Sequence, residues 1–330
     1  MSKLKINRSV IIAIFSVVYG AMISSFPSEY FRDRESYIFY ANYSDDIFGD
    51  YLSKGILPLL SNEPVFLKLN TILSFFFSPS IVPNVFIFVL SATFFYCFFI
   101  RCRNFLEGFF ALCLFLLTPT FLHLQLVVIR QGICSAILLL VCILTCDKKK
   151  ILATSFFLGF IHSSFFLITF FLFINYILFL SGAKRKIRLA VLCLVTFFIS
   201  GAYIVIGNFL GLRQVTQEHL LEQTDVSGLA FLMWLSMLCL ILFSKPKNTI
   251  EEPVNDIAIL GLVVYLSMYF TLPFSGRFIL SFVPFIFLSS IIRLKLIECL
   301  YLIFFIVVNV YILSSSLSNN SLTFTISSMF

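Results

Sequence analysis

The 330-residue chain predicts an all-α polytopic membrane protein, a single integral domain with about eleven transmembrane helices. Composition is the first reason. Hydrophobic residues are 60% and charged residues 12% of the chain, about half the charged share of a soluble domain and too little to cover a water-facing surface. Mean hydropathy, at +1.04, says the same. The second reason is punctuation: charges, prolines and glycines cut the chain into apolar runs near the ~20 residues that cross a bilayer. A soluble enzyme, a disordered protein and a nucleic-acid binder are excluded. The net charge of +7 comes from short basic clusters between apolar runs.

The first run, 9–26, follows Lys3, Lys5 and Arg8 and reads as a retained helix, because Ser25-Phe26-Pro27 is a poor cleavage site for a signal peptide. Residues 27–82 form a first outer loop. Within it, 64–77 carries Lys68 and Asn70 and is too short to span, so it is expected as an amphipathic helix on the interface. Spans follow at 83–100, 105–121 and 125–146. Residues 151–181 carry no charge and are read as a hairpin of 151–163 and 165–181, bent at His162-Ser163-Ser164. The remaining spans are 187–208, 229–244, 257–274, 276–292 and 296–314, with a second outer loop at 209–228 and a Ser/Asn-rich outer tail at 315–330. This arrangement puts six basic clusters, 16 of the 23 Lys and Arg, on the inner side. The N-terminus is then inside and the C-terminus outside. The nine cysteines lie in or beside apolar runs without metal-ligand spacing and read as small core residues.

Ionisable residues beside apolar runs are costly and mark candidate sites. Glu63, Arg130, His162 and Arg277 all fall near the outer face in this topology, and Asp33 and Arg34 join them from the first loop. Arg130 has no acidic neighbour within a helical turn. It is either a snorkelling arginine or an anion ligand. Arg277 follows Pro273 and Gly276 at a helix N-terminus, where it is either a flank anchor or part of a phosphate site. His162 is either a satisfied core histidine or a proton acceptor. Glu63 before Pro64 could simply complement a helix dipole. His123 and His219 read as boundary and loop residues. Residues 31–37 alternate charges without a helical period, as a solvated turn or a sugar-phosphate site that includes Tyr37 and Tyr40 would. Two deep arginines suit a lipid-linked diphosphate, while carboxylates, histidine and tyrosines suit sugar hydroxyls and proton abstraction. No nucleotide-binding motif is present in the sequence. The energy of any transfer must therefore reside in the lipid-linked substrate.

RDRESY (Arg32–Tyr37), NEP (Asn62–Pro64), IRQG (Ile129–Gly132), FIHSS (Phe160–Ser164) and SGR (Ser275–Arg277) occur in that order. The pattern resembles the EpsG-like branch of Wzy-type O-antigen and exopolysaccharide polymerases. The resemblance implies a glycosyltransferase of the bacterial inner membrane that joins undecaprenyl-diphosphate-linked oligosaccharide repeat units at the periplasmic face. It also implies a GT-C-like architecture with interfacial helices in the first periplasmic loop, and a separate chain-length-determining co-polymerase as partner. The second periplasmic loop departs from the pattern: it is short and lacks the arginine-rich motif of some Wzy polymerases. On this reading Arg130 and Arg277 hold the donor diphosphate, and Arg34, Tyr37 and Gln131 position sugar or phosphate. His162 is the first choice of base, with Asp33 and Glu63 as rivals. No cofactor or metal is called for, since the arginines supply the electrostatic stabilisation. A flippase or transporter of the same lipid is the alternative from another class, though transporters favour midplane sites and paired repeats. An O-antigen ligase is the rival enzyme, and a membrane O-acyltransferase is supported only by the buried histidine.

Overall fold

The computed structural model describes residues 2–27, 31, 33–209, 228–243, 251–272, 275–292 and 294–318. Among the described residues the chain forms sixteen helices and no strand. Helix α1 (Ser2–Ser24) packs along α5 (Val82–Arg101), and the segment between them folds as α2 (Arg34–Ser53), α3 (Ile56–Ser61) and α4 (Pro64–Ser74), with α2 lying on α4. The chain continues through α6 (Phe105–Leu117), α7 (Pro119–Leu126), α8 (Ile129–Leu144), α9 (Lys148–Leu158), α10 (Ser164–Leu180) and α11 (Arg185–Phe209). It closes with α12 (Gly228–Phe243), α13 (Glu252–Met268), α14 (Ser275–Leu280), α15 (Val283–Ile291) and α16 (Leu296–Ser318). α13 is buried on nearly every side, against α11, α12 and α15.

Val82–Arg101 and Leu296–Ser315 are long and apolar enough to cross a bilayer, and four shorter apolar helices lie at Arg8–Ser24, Ile129–Leu144, Ser164–Leu180 and Gly228–Phe243. Large apolar side chains face outward along α1 (Ile14, Phe15, Val18) and α16 (Ile303, Phe304, Val307), as lipid contact requires. Polar Ser91, Gln125, Ser135 and Asn255 are buried between helices. All nine cysteines are free, four of them buried.

The hairpin expected over 151–181 is present as α9 and α10, joined at Gly159–Ser163. Three expectations change. The run 105–121 breaks at Thr118-Pro119 into α6 and α7, bent by 68°. Proline removes an N–H and crowds the preceding turn, and it opens the next helix well. The run 276–292 likewise breaks into α14 and α15, with Pro284 in the first turn of α15. Residues 31–37 are not all turn, because α2 begins at Arg34. The second outer loop at 209–228 and most of the tail lie outside the described residues.

The basic clusters do structural work at one end of the bundle. Arg8 donates to Phe99 O and Cys102 O at the end of α5, Arg101 donates to Ile143 O of α8 at 2.6 Å, and Arg103 donates to Ile292 O beyond α15. Terminal helix carbonyls have no intrahelical donor and carry the negative end of the dipole, so an arginine satisfies both. Lys148 joins this end through Asp256 at 3.4 Å and the Phe179 ring at 3.7 Å. Arg130 starts α8 and Ile143 lies near its end, so this basic end is roughly 20 Å of helix from Arg130.

Gly132, inside IRQG, is a packing glycine. A Cβ there would sit 2.5 Å from the carbonyl oxygen of Leu124, a backbone atom that cannot step aside. We expect Gly132→Ala to push α8 off α7 and destabilise the fold by about 1–3 kcal/mol. A lowered melting temperature of the detergent-solubilised protein checks this, and an unchanged one contradicts the close α7–α8 approach.

Candidate functional site

The site is built on one carboxylate. Glu63 lies between Asn62, which caps α3, and Pro64, the first residue of α4. Its backbone is left-handed (φ 58°, ψ 51°), the one such non-glycine among the described residues. That conformation costs on the order of 1–3 kcal/mol and persists only when surroundings over-determine it. Here they do. One carboxylate oxygen of Glu63 pairs with Arg130 Nη1. The other accepts from Ser163 N at 3.1 Å and lies 2.8 Å from His162 Nδ1. Val65 N donates to Phe160 O at 3.1 Å, locking the start of α4 to the α9–α10 turn.

Glu63 is buried. Burial opposes its ionisation, but the His162 hydrogen bond, the Arg130 charge and the Ser163 N–H outweigh it, so its pKa falls below the ordinary carboxylate value. An ionised carboxylate only accepts, so His162 presents Nδ1–H to it and keeps Nε2 as the basic nitrogen.

Arg130 therefore has the acidic partner that its own helix lacks. Its guanidinium also faces three rings, Tyr40 at 5.2 Å, Phe66 at 5.5 Å and Tyr37 at 5.7 Å. Cation–π contact and one ion pair fix its plane. The free side opens on a cleft of about 1120 Å³, lined by α2, Arg130 and Arg277. Arg277 is exposed. Its own backbone is held from α8: Gln131 Nε2 donates to Arg277 O and to Ser281 Oγ, both at 2.6 Å.

The predicted site residues divide by placement. Glu63, Arg130 and His162 form one hydrogen-bonded unit. Arg130, Arg277, Asp33 and Tyr37 line the cleft. Gln131, expected as a substrate contact, is instead buried between α8 and α14. Arg34 is also buried, donating to Asn84 Oδ1 at 2.7 Å and so tying α2 to α5. Desolvation lowers its pKa to about 10, against the neighbouring Tyr37. His123, expected at a boundary, is buried in α7. Sequence reading missed Phe66 and the Ser163 N–H. It named Tyr40 but not its place over Arg130, although the spacing of Tyr37, Tyr40, Ser44, Ile47 and Tyr51 is a helical signal.

The depressed Glu63 pKa sets a pH dependence. The stability it contributes is full above the unfolded carboxylate value near ~4.3 and is lost as pH falls through the lower folded value. The wild-type melting temperature should therefore fall more steeply below about pH 4.3 than that of Glu63→Gln. Removing the buried partner altogether, in Glu63→Ala, should cost on the order of 3 kcal/mol at pH 7. Parallel acid profiles for wild type and Glu63→Gln would contradict the ionised, over-determined carboxylate.

No curated protein and no solved structure matches the chain. The family comparison is positive over nearly its whole length: residues 7–327 match the EpsG family. The motifs that run from the start of α2 to α14 fall within that match, and three of them, NEP, IRQG and FIHSS, meet at the Glu63 carboxylate. The chain belongs to the EpsG family, whose members are polysaccharide-polymerase-like membrane proteins.

Proposed function

We propose that the protein is an O-antigen or exopolysaccharide polymerase that joins undecaprenyl-diphosphate-linked repeat units at the periplasmic face of the inner membrane. The observation that carries this is the pairing of Arg130 and Arg277 on one open cleft, with a His162–Glu63 unit bonded to the first of them. Two arginines suit a diphosphate, and an oriented imidazole suits deprotonation of a sugar hydroxyl. On this reading the chain has eleven spans in a GT-C-like arrangement. The α2–α4 layer lies in the first periplasmic loop (27–82), the second loop is 209–228, and the tail 315–330 is also periplasmic. A separate co-polymerase sets chain length.

In the reaction, the hydroxyl of a lipid-linked acceptor unit attacks the anomeric carbon of the donor. The bond from that carbon to the diphosphate oxygen breaks, undecaprenyl diphosphate leaves, and the hydroxyl proton passes to His162 Nε2. Arg130 and Arg277 meet the charge that develops on the leaving group. Glu63 is already saturated by three donors, so it acts as a positioning residue for His162 and Arg130. Asp33, on the cleft wall, is the rival base. Gln131 positions Arg277 through its carbonyl, and Arg34 holds α2 on α5.

Reconstitution with a synthetic lipid-linked repeat unit tests the reading. A ladder of longer glycans is expected; a changed sidedness of the lipid without a ladder would mean a flippase. Arg130→Lys and Arg277→Lys keep the charge but lose the planar fork. Each should slow ladder formation on the order of a hundredfold, and normal ladders from both would remove the diphosphate role.

His162→Gln should retain donor binding and lose turnover. Asp33→Asn should retain both. The reverse outcome, with turnover lost only in Asp33→Asn, would move the base to Asp33 and leave His162 as a hydrogen-bonding residue.

A further inference from the structure

Beyond the arginines, the same cleft continues along α2. Tyr37, Tyr40, Tyr43 and Tyr51 line it together with carboxylates that include Glu35 and Asp46. Tyr37 and Tyr40 lie about one helical turn apart before the break in α2 and Tyr51 lies beyond it, while the exposed carboxylates of Glu35, Asp46 and Asp50 stand at the rim. The break in α2 falls at Tyr43 (φ −121°, ψ 18°). Tyr43 is half-exposed, and its ring packs against Phe39 at 4.9 Å between centroids.

An aromatic floor with an acceptor rim matches the two sides of a pyranose. The C–H face of the sugar lies on the electron-rich face of an aromatic ring. Its equatorial hydroxyls donate to carboxylates, which only accept, in short charge-assisted bonds. The charge distribution adds a selection. Arg130 sits at the Tyr37–Tyr40 end, and Arg277 lines the same cleft. Along the rim Asp50 is neutralised by Lys54 at 2.6 Å, whereas Glu35 and Asp46 are exposed and have no ion-pair partner among the described residues. A sugar carboxylate bound there would face like charge, and an uncharged or ammonium-bearing sugar would not.

We propose that the α2 face is a glycan subsite that accepts uncharged or amino-bearing saccharides and rejects those carrying carboxylates. The proposal rests on the polymerase reading and specifies its substrate: the arginine end takes the diphosphate and the α2 face takes the sugar chain attached to it.

The test uses the full-length protein in nanodiscs and two soluble probes of equal length. One is a neutral tetrasaccharide of N-acetylglucosamine; the other is a tetrasaccharide alternating glucuronic acid with N-acetylglucosamine. Saturation-transfer NMR should show transfer to the ring protons of the neutral probe. It should show none to the acidic probe above empty nanodiscs. Tyr43→Ala and Tyr51→Ala should weaken neutral-probe binding about fivefold or more. The double variant Glu35→Gln/Asp46→Asn should acquire binding of the acidic probe. All variants are compared at matched melting temperature. Equal or stronger transfer to the acidic probe in wild type would overturn the proposal. So would neutral-probe binding that is indifferent to both tyrosine changes, or no transfer to either probe. Failure of the polymerase reading is separate: it appears as no ladder from wild-type protein given lipid-linked repeat units.

Discussion

The site depends on the buried carboxylate of Glu63. It receives three donors from two other parts of the chain: Arg130 at the start of α8, and His162 and Ser163 in the α9–α10 turn. It presents itself from the junction of α3 and α4, in a left-handed conformation that the following proline disfavours further. A buried anion without partners would be expensive, and so would any one of its partners left alone. The constraint therefore runs both ways. The carboxylate holds the three elements in register, and the three elements hold the strained residue. His162 and Arg130, 32 positions apart in sequence, are thereby fixed relative to each other through two oxygens of one side chain.

Two groups among the described arginines are separated by physical context. At the basic end, Arg8, Arg101 and Arg103 donate to backbone carbonyls at the ends of α5, α8 and α15, and Arg103 also pairs with Glu107 and Glu251. In a bilayer no water reaches such carbonyls from the hydrocarbon side, so their satisfaction by protein groups is a condition of stability. Arg34, elsewhere, is consumed by Asn84. Arg130 and Arg277 differ because each keeps part of its guanidinium on an open cleft. A count of arginines near one membrane face does not separate these cases; the location of their donors does.

Much of the fold was legible because bilayer-scale apolar runs and basic punctuation are coarse, strong signals. The α9–α10 hairpin could be read from one clue, a polar trio inside a 31-residue uncharged stretch. The breaks at Thr118-Pro119 and between α14 and α15 were less legible, since hydropathy is blind to a bend and a proline beginning one helix resembles a proline kinking another. In the site, Glu63, Arg130 and His162 stood out as isolated charges in apolar surroundings. Their mutual bonding did not, because the partner of Arg130 lies 67 positions away and no helical-turn rule reaches it. Gln131 and Arg34 were read as ligands because they share the IRQG and RDRESY motifs with Arg130 and Asp33, and these neighbours, not Gln131 and Arg34, line the cleft. One residue along a helix turns a side chain by 100°, enough to send Gln131 into the α8–α14 packing while Arg130 faces the cleft.

On the proposed polymerase reading, the same geometry divides labour between the two cleft arginines. Arg130 is caged by three rings and pinned by Glu63, so its orientation is set before any ligand arrives, and part of its charge is already answered. Arg277 is exposed, and what Gln131 fixes is its backbone rather than its guanidinium. A rigid, partly neutralised cation is suited to defining where a phosphate sits without trapping it. An exposed cation with no ion-pair partner among the described residues is suited to following charge as it develops on a leaving group and to letting that group go. Electrostatic stabilisation is most effective when donors need no reorganisation at the moment of reaction, whereas release of a large lipid diphosphate needs a contact that can be given up. Placing the two arginines on different helices, one tied to the carboxylate that also orients His162 and the other tied only through its backbone, meets both requirements within a single cleft.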